Sequence, residues 1–474
     1  VILNLGIDKE KGDGAITVNP LSRSGFNDSF GGQVGSYSES WYDNSNENLN
    51  AQLNYTKTFG KFNLDVLAGY EYQQFDFENF NSGNIKLYGL DPSQIADVYT
   101  DPGNNLQAFL GRMNLGYNDK YLLTVNFRRD GSTRVSPVNK WANFSGVAFA
   151  WKIKEESFLK NSKIFSDLKL RLSYGETGQQ NIGQALYWLK KYSTSNNNYY
   201  QFGDDFIIIS RPDGYNENLK WERSAKYNAG LDFGFFNNKL KGSIDGYFAK
   251  TTDLFSQTAQ GALQNLDIFG PRNVGSLESK GIDFGLNFQA IEKDNFDLNL
   301  NYNLTYNHLE LTDLFSDNLD VGGVGLGGFV QTHKVGLAPF SYKVYQQIYD
   351  ENNKPIEGLF VDRDGNGVID TKDKYNYKKP QADVTMGFMT NATFYKNWDF
   401  SMAWRASFGN YVYDQVSADR SVLSSVNNVV DNTINNAPID FSNTNLNFTS
   451  KESDYYIKNA SFLKLDNVTL GYNF

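Results

Sequence analysis

The chain has 474 residues, with 36 Phe, 30 Tyr and 7 Trp among them, yet its mean hydropathy is negative at −0.52. No stretch reaches the roughly 18 consecutive apolar residues of a membrane-crossing helix, so a helical span is excluded. A net charge of −10 with no basic stripe argues against a nucleic-acid partner, and the absence of cysteine fits an extracytoplasmic surface.

In chain order, the same two-strand unit recurs at residues 49–72, 109–127, 147–174, 227–248, 282–306 and 386–408. Within 227–248, Tyr227, Ala229, Leu231, Phe233 and Phe235 alternate with Asn228, Gly230, Asp232 and Gly234. After Asn237 and Asn238 the alternation resumes with Leu240, Gly242, Ile244, Gly246 and Phe248. Within 282–306, Phe296, Leu298, Leu300, Tyr302, Leu304 and Tyr306 are separated by Asp297, Asn299, Asn301, Asn303 and Thr305. Aspartate and asparagine are poor strand formers, so something outside the strand must hold them there. Water on one face and lipid on the other would do so, because a transmembrane β-barrel needs strands of about 9 to 11 residues, apolar outside and polar inside.

Charges obey the same alternation. Lys169 and Arg171 lie between Leu168, Leu170 and Leu172, and Asp399 and Arg405 fall on the polar phase opposite Trp398, Phe400 and Trp404. Facing lipid near the midplane, Lys or Arg would cost about 2 to 4 kcal/mol. The expected fold is therefore all-β: an antiparallel transmembrane β-barrel portion over residues 1–474. Connections near Gly60, Asn118, Asn237, Asp294 and Asn397 are short, whereas those over residues 73–106, 175–221, 251–274, 310–384 and 410–461 are long. Outer-membrane barrels keep short turns in the periplasm and long loops outside, and that orientation is expected here. The long loops read either as surface binding loops or lids or as mobile solvated segments, the glycine-rich run 322–328 included.

Five ordered segments then carry a family resemblance: NFRRDGSTR at 126–134, DLKLRLSYGETG at 167–178, NLKWE at 218–222, NVGSLESKGI at 273–282 and SFLKLDNVTLGY at 461–472. Together they resemble the SusC/RagA-type TonB-dependent outer-membrane transporters of Bacteroidota. The resemblance implies a barrel of about 22 strands that imports large nutrients, glycan or peptide. It also implies a SusD-like surface lipoprotein as lid, TonB with ExbB and ExbD as energy source, and a dimer of the transporter–lipoprotein pair. No cofactor is required by that reading. Two departures stand out: no plug domain is found before the first strands, and roughly 14 to 16 strand segments fall short of the family's barrel. Unclosed edges are untenable in hydrocarbon, so the chain reads as a portion of a longer polypeptide or as one completed by other segments.

One motif has metal-ligand spacing. Asp362, Asp364, Asn366, Gly367, Ile369, Asp370 and Asp373 match an EF-hand loop at positions 1, 3, 5, 6, 8, 9 and 12, with Asp in place of the final bidentate Glu and no helical flanks. Two readings stay open, a Ca²⁺ site and a chain of Asx turns that needs no ion. Catalysis is not expected. His308 at a strand end and His333 in a loop are the only histidines, and neither has the partners of a Ser-His-Asp assembly. Besides transport, a binding or scaffold barrel in a larger surface assembly accounts for the same pattern. A soluble glycan-binding sandwich does not, given so much repeated aromatic surface.

Overall fold

The structure, a computed structural model, describes residues 1–19, 21, 26–27, 32–33, 35–81, 85–86, 99–181, 186–259, 269–316, 318–321, 330–420, 427–428, 433–434 and 452–474. The 322–328 run lies outside the described residues.

Among the described residues the principal antiparallel sheet contains long strands taken in chain order. They are β1 (Ile2–Val18), β2 (Ser36–Phe59), β3 (Phe62–Asn81), β4 (Tyr99–Tyr117), β5 (Tyr121–Ser132), β6 (Trp141–Lys152), β7 (Phe165–Gln179), β8 (Glu222–Phe235), β9 (Leu240–Thr252), β10 (Ser276–Lys293), β11 (Phe296–Asp313), β12 (Val384–Phe394), β13 (Trp398–Phe408) and β14 (Phe462–Tyr472). Two compact units divide the chain. The first comprises 1–148, 175–224 and 255–273; the second comprises 149–174, 225–254 and 274–474.

Tight turns set the register. Asn118 and Asp119 between β4 and β5, Asn237 and Asn238 between β8 and β9, and Tyr395 and Lys396 between β12 and β13 all hold positive φ, between 51° and 63°. Paired left-handed residues twist a short turn to match the strands it joins, and after glycine Asn and Asp tolerate that conformation best, as in the first two of these turns.

Once register is set, the alternation becomes continuous rows. In the second unit, Leu286, Tyr302, Phe388 and Trp404 lie side by side across β10 to β13, as do Phe284, Leu304, Met386 and Ala406. On the opposite face, Asp283, Thr305, Thr385 and Ser407 form the matching row. In the first unit, Tyr55, Val66, Met113 and Val125 make an apolar row across β2 to β5. Its polar neighbour is hydrogen-bonded from end to end: Thr56 Oγ1 donates to Asp65 at 3.0 Å, Asn114 Nδ2 to Asp65 at 3.1 Å, and Thr124 Oγ1 to Asn114 at 2.8 Å.

Aromatic side chains mark both edges of the apolar face. Beside the tight turns the first unit stacks Phe59 on Phe62 (5.7 Å), Phe62 on Tyr117 (4.8 Å) and Tyr117 on Tyr121 (6.3 Å). The second unit pairs Phe165 with Phe235, Phe296 with Phe394 and Trp398 with Tyr472 there. At the other edge, Phe109 contacts Tyr70 and Trp141 in the first unit, and Tyr227 contacts Tyr174 and Phe248 in the second. From Phe296 to Tyr306, at about 3.4 Å per residue and a tilt of about 40°, the band is about 25 Å tall, the height expected for an aromatic-bordered membrane band.

Several sequence expectations need correction. Strands run well beyond 9 to 11 residues, β2 covering 24. Residues 73–81 and 99–106, expected as loop, continue β3 and β4, and β1 was not anticipated at all. Outside the band both faces meet water, so the apolar alternation that reveals a strand is lost while its backbone pairing continues. His308 lies within β11 rather than at its end, and His333 lies in a short strand, Gln331–Lys334, rather than a loop. The long connections are also not uniformly loose. In the second unit Val330, Tyr342, Val344, Tyr413, Ala418, Tyr456 and Ile457 pack into a core drawn from two of them.

The two faces predict opposite responses to the same charge. With lipid on the apolar face, Leu300→Arg costs about 2 to 4 kcal/mol, whereas the adjacent Asn301→Arg stays within about 1 kcal/mol. Chemical unfolding in lipid bilayers measures both, and equal costs would refute the assignment of faces.

Candidate functional site

The polar face of the sheet and the loops at its long-connection end carry the groups capable of binding. In the first unit a cavity of about 790 Å³ opens against that face, with Gln52, Asn54, Arg112, Asn126, Arg128 and Asp130 in its wall. Arg128 is held from two sides, its Nη1 2.7 Å from Glu71 and its Nε 2.7 Å from Asp130. Fixed in this way, the guanidinium keeps its place in the wall instead of sweeping the opening. Phe144 and Trp221, in edge-to-face contact at 5.8 Å, close another side.

In the second unit the polar face carries a charge cluster. Arg171 on β7 makes paired hydrogen bonds of 2.7–3.0 Å to Asp232 on β8, and its two terminal nitrogens reach Asp245 on β9 at 2.9 and 2.8 Å. Lys169 adds a 2.7 Å contact to Asp232. The guanidinium fork matches two carboxylates at once, tying three strands together. Further along, Thr305 donates to Asp283 at 2.8 Å and Asn287 donates to Asn301. Sequence phase placed Lys169 and Arg171 on this face. Asp232 and Asp245 have the same phase, but only strand register identifies them as partners.

The EF-hand-like loop is partly assembled. Carboxylate oxygens of Asp362, Asp364 and Asp373 lie within 4.8 Å of one another. Asp373 is fully buried and accepts amides from Arg363 and Asp370, each at 2.8 Å. Asp362 accepts the Gly365 and Gly367 amides at 2.7 Å, and Asn366 accepts that of Val368 at 2.7 Å. Asp370 is not in the three-carboxylate group; it caps the following turn by accepting the Lys372 amide at 2.7 Å. The Asx-turn chain is therefore present, with three converging hard oxygens inside it. The Asp370 amide, together with those of Arg363 and Asp364, holds Asp373 below the usual carboxylate range.

This loop leads directly into the core shared by the two connections. Lys374, its side chain 6% exposed, meets Glu452 at 2.7 Å, and the Tyr375 hydroxyl donates to Asp454 at 2.7 Å. Burial first, then Asp454, raises the Tyr375 pKa, so that hydroxyl remains a donor. His333 sits edge-on to Phe340 at 4.6 Å, and burial lowers its pKa; His308 Nε2 lies 3.4 Å from Glu310.

With the apolar band, its aromatic borders and the polar wall in place, comparison with known proteins decides the family. Residues 11–429 match the TonB dependent receptor-like, beta-barrel family. The chain belongs to that family. Over 99% of its length it is 41% identical to the TonB-dependent receptor SusC of Bacteroides thetaiotaomicron, covering 48% of that protein. It is 31% identical to TonB-dependent receptor P3 of Formosa agariphila over 94% of its length, covering 47% of that protein. The chain thus spans about half the length of the curated relatives it matches. The RagAB peptide transporter structure superposes on 99% of the chain, and the chain on 53% of it, with a TM-score of 0.75 at 20% identity, a likeness of fold. The SusC/RagA resemblance, the barrel class and the outer-membrane location therefore stand, and the polar face is the lumen wall of a TonB-dependent receptor barrel.

The sign of the Asp373 shift fixes a pH response. Because its folded pKa lies below the unfolded value of about 3.9, its contribution is complete above that value and is lost as pH falls through the lower, folded pKa. Asp373→Asn imitates the protonated state at neutral pH and loosens the loop. Tryptic cleavage after Arg363 should accelerate in this variant, and an unchanged rate would show that Asp373 does not hold the loop closed.

Proposed function

We propose that this chain is the barrel part of an importer that carries a large nutrient, glycan or peptide, across the outer membrane under TonB coupling, with a SusD-like lipoprotein as lid. The observation that carries the reading is the 41% identity to SusC over 99% of the chain, on a lumen wall of amides, hydroxyls and paired charges. Such a wall offers many weak hydrogen bonds and few free charges, which suits passage of a hydroxyl- or amide-rich cargo. The tight turns face the periplasm, and the long connections, with the overshooting ends of β2 and β3, face outward. TonB, ExbB and ExbD act through parts of the full protein outside this chain, and the transporter–lipoprotein pair assembles as a dimer. The test is detergent purification of the intact protein with identification of its companion chains, alongside uptake of labelled glycan and peptide with and without an uncoupler. A co-purifying lipoprotein and uncoupler-sensitive uptake are expected. A barrel without either would favour the scaffold reading.

A second reading concerns the acidic loop, which we assign to Ca²⁺. Its support is the convergence of Asp362, Asp364 and Asp373, each carboxylate accepting fewer hydrogen bonds than its two oxygens have lone pairs. A bound ion would neutralise three clustered carboxylates and stiffen the segment before Lys374. Titration with Ca²⁺ should give saturable heat that Asp364→Asn weakens at least about tenfold. Equal heats for the two proteins would remove the site.

A further inference from the structure

Beyond the apolar band, the first unit exchanges the character of its two faces. Along β3 the outward phase runs Leu64, Val66, Ala68, Tyr70 and Tyr72, then becomes Gln74, Asp76 and Glu78. The inward phase runs Asn63, Asp65, Leu67, Gly69 and Glu71, then becomes Gln73, Phe75 and Phe77. Pairing of β2 with β3 is unbroken from Ser40–Asn81 to Phe59–Phe62, and the register shift where β3 meets β4, from Phe75–Asn104 to Phe77–Asp101, puts its extra residue on β4, so the phase of β3 does not slip and the sequence makes the exchange. The outward face above the band carries Asp43 and Glu47 on β2 and Asp76 and Glu78 on β3, with Lys11 of β1 ion-paired to Asp43 and Phe80 stacked on Trp41 at 6.2 Å. Across the inward face Phe75 stands opposite Asn46, and Phe77 opposite Asn44.

The next inward position of β2 is Tyr42, paired with Gly12 of β1. A Cβ on Gly12 would come within 2.5–2.9 Å of Tyr42 Cε1, Cζ and Oη, so the ring can lie where it does only because residue 12 is glycine. Its hydroxyl donates to Glu10 at 2.9 Å, and the residue remains 38% exposed. The ring is therefore laid against the sheet, tethered at its tip, and presents a face to the interior. Phe75 is 36% exposed nearby. Aromatic faces left bare on the aqueous part of an inner wall call for an occupant.

We propose that Tyr42, with Phe75 and Phe77, forms a stacking subsite for sugar rings of an uncharged oligosaccharide, and that Asn44 and Asn46 hydrogen-bond its hydroxyls. This rests on the import reading and selects a cargo class within it. Charge decides the occupant. The strip's polar groups are amides, and the charges beside them on the same face are the carboxylates of Glu10, which accepts the Tyr42 hydroxyl, and Asp8, opposite Asn46, so uronic-acid chains are repelled while neutral chains are not. A tethered ring loses little freedom on binding, so the stack is already organised.

The test uses the intact outer-membrane protein purified in detergent, titrated calorimetrically with neutral α- and β-linked glucose, mannose and xylose oligosaccharides and with oligogalacturonate. Neutral chains should bind and oligogalacturonate should not. Tyr42→Ala should weaken binding about tenfold, and Tyr42→Phe, which keeps the ring and loses the tether, should weaken it less. Unchanged affinity in Tyr42→Ala, preference for oligogalacturonate, or no binding to any neutral member would overturn the subsite. So would loss of a co-purifying lipoprotein from Tyr42→Ala with glycan affinity intact, which would assign the strip to a protein contact. Import is read separately: wild-type protein whose uncoupler-sensitive uptake continues while Tyr42→Ala binds normally keeps the function and loses the subsite, whereas absence of any uptake by wild type removes the function itself.

Discussion

Backbone hydrogen bonding in a medium without water is the constraint from which the rest of this structure follows. Each peptide group in hydrocarbon must find a partner in a neighbouring strand, because an unsatisfied one costs several kcal/mol. Long, evenly paired strands result, and with them a side-chain period of two that cannot slip by one residue without turning every apolar side chain into the lumen. Tight turns at Asn118–Asp119, Asn237–Asn238 and Tyr395–Lys396 hold that register at one end of the hairpins. The rows Leu286–Tyr302–Phe388–Trp404 and Asp283–Thr305–Thr385–Ser407 are its result on the two faces.

Polar side chains inside such a wall have two tasks, and they conflict. They must be satisfied with each other so that the wall is rigid, yet, on the proposed import function, retain capacity for cargo. The Thr56–Asp65–Asn114–Thr124 chain resolves this with side chains that have more donors and acceptors than the row consumes. Arg171 resolves it differently. Its fork is filled by Asp232 and Asp245, so it contributes cross-strand cohesion rather than a free cation. At about one-third exposure, the ion cluster is better regarded as a positioning device than as a large source of stability.

Legibility in the sequence tracked the solvent. Within the band, alternation in 227–248 and 282–306 exposed the strands and their faces, and phase alone put Lys169, Arg171 and Arg405 on the polar side. Above the band, residues 73–81 and 99–106 were taken for loop because water on both faces removes the apolar half of the pattern. The partnership of Lys374 with Glu452 was beyond sequence reading for another reason: it joins residues 78 apart through two connections that have no common period. The three-carboxylate group was legible because its residues are local in sequence. Asp370 stands outside that group and caps the following turn, an arrangement that spacing alone does not reveal.

The exchange of faces on β3 combines these arguments. One strand passes through two environments, and its inward and outward positions cannot change places along it. Where lipid ends, the outward positions no longer need to be apolar, and Asp76 and Glu78 appear; had nothing else been selected, the inward positions would stay polar. They become Phe75 and Phe77 instead. Neither the membrane nor the sheet requires aromatics there, since pairing with β2 is continuous whatever the side chains and, among the described residues, the packed core of the first unit does not include them. The same holds for Gly12, which weakens a strand interior by conformational entropy and is compensated only by the place it makes for Tyr42. Residues that folding does not demand, placed on the inner wall outside the membrane, are where the function of this chain is written most directly.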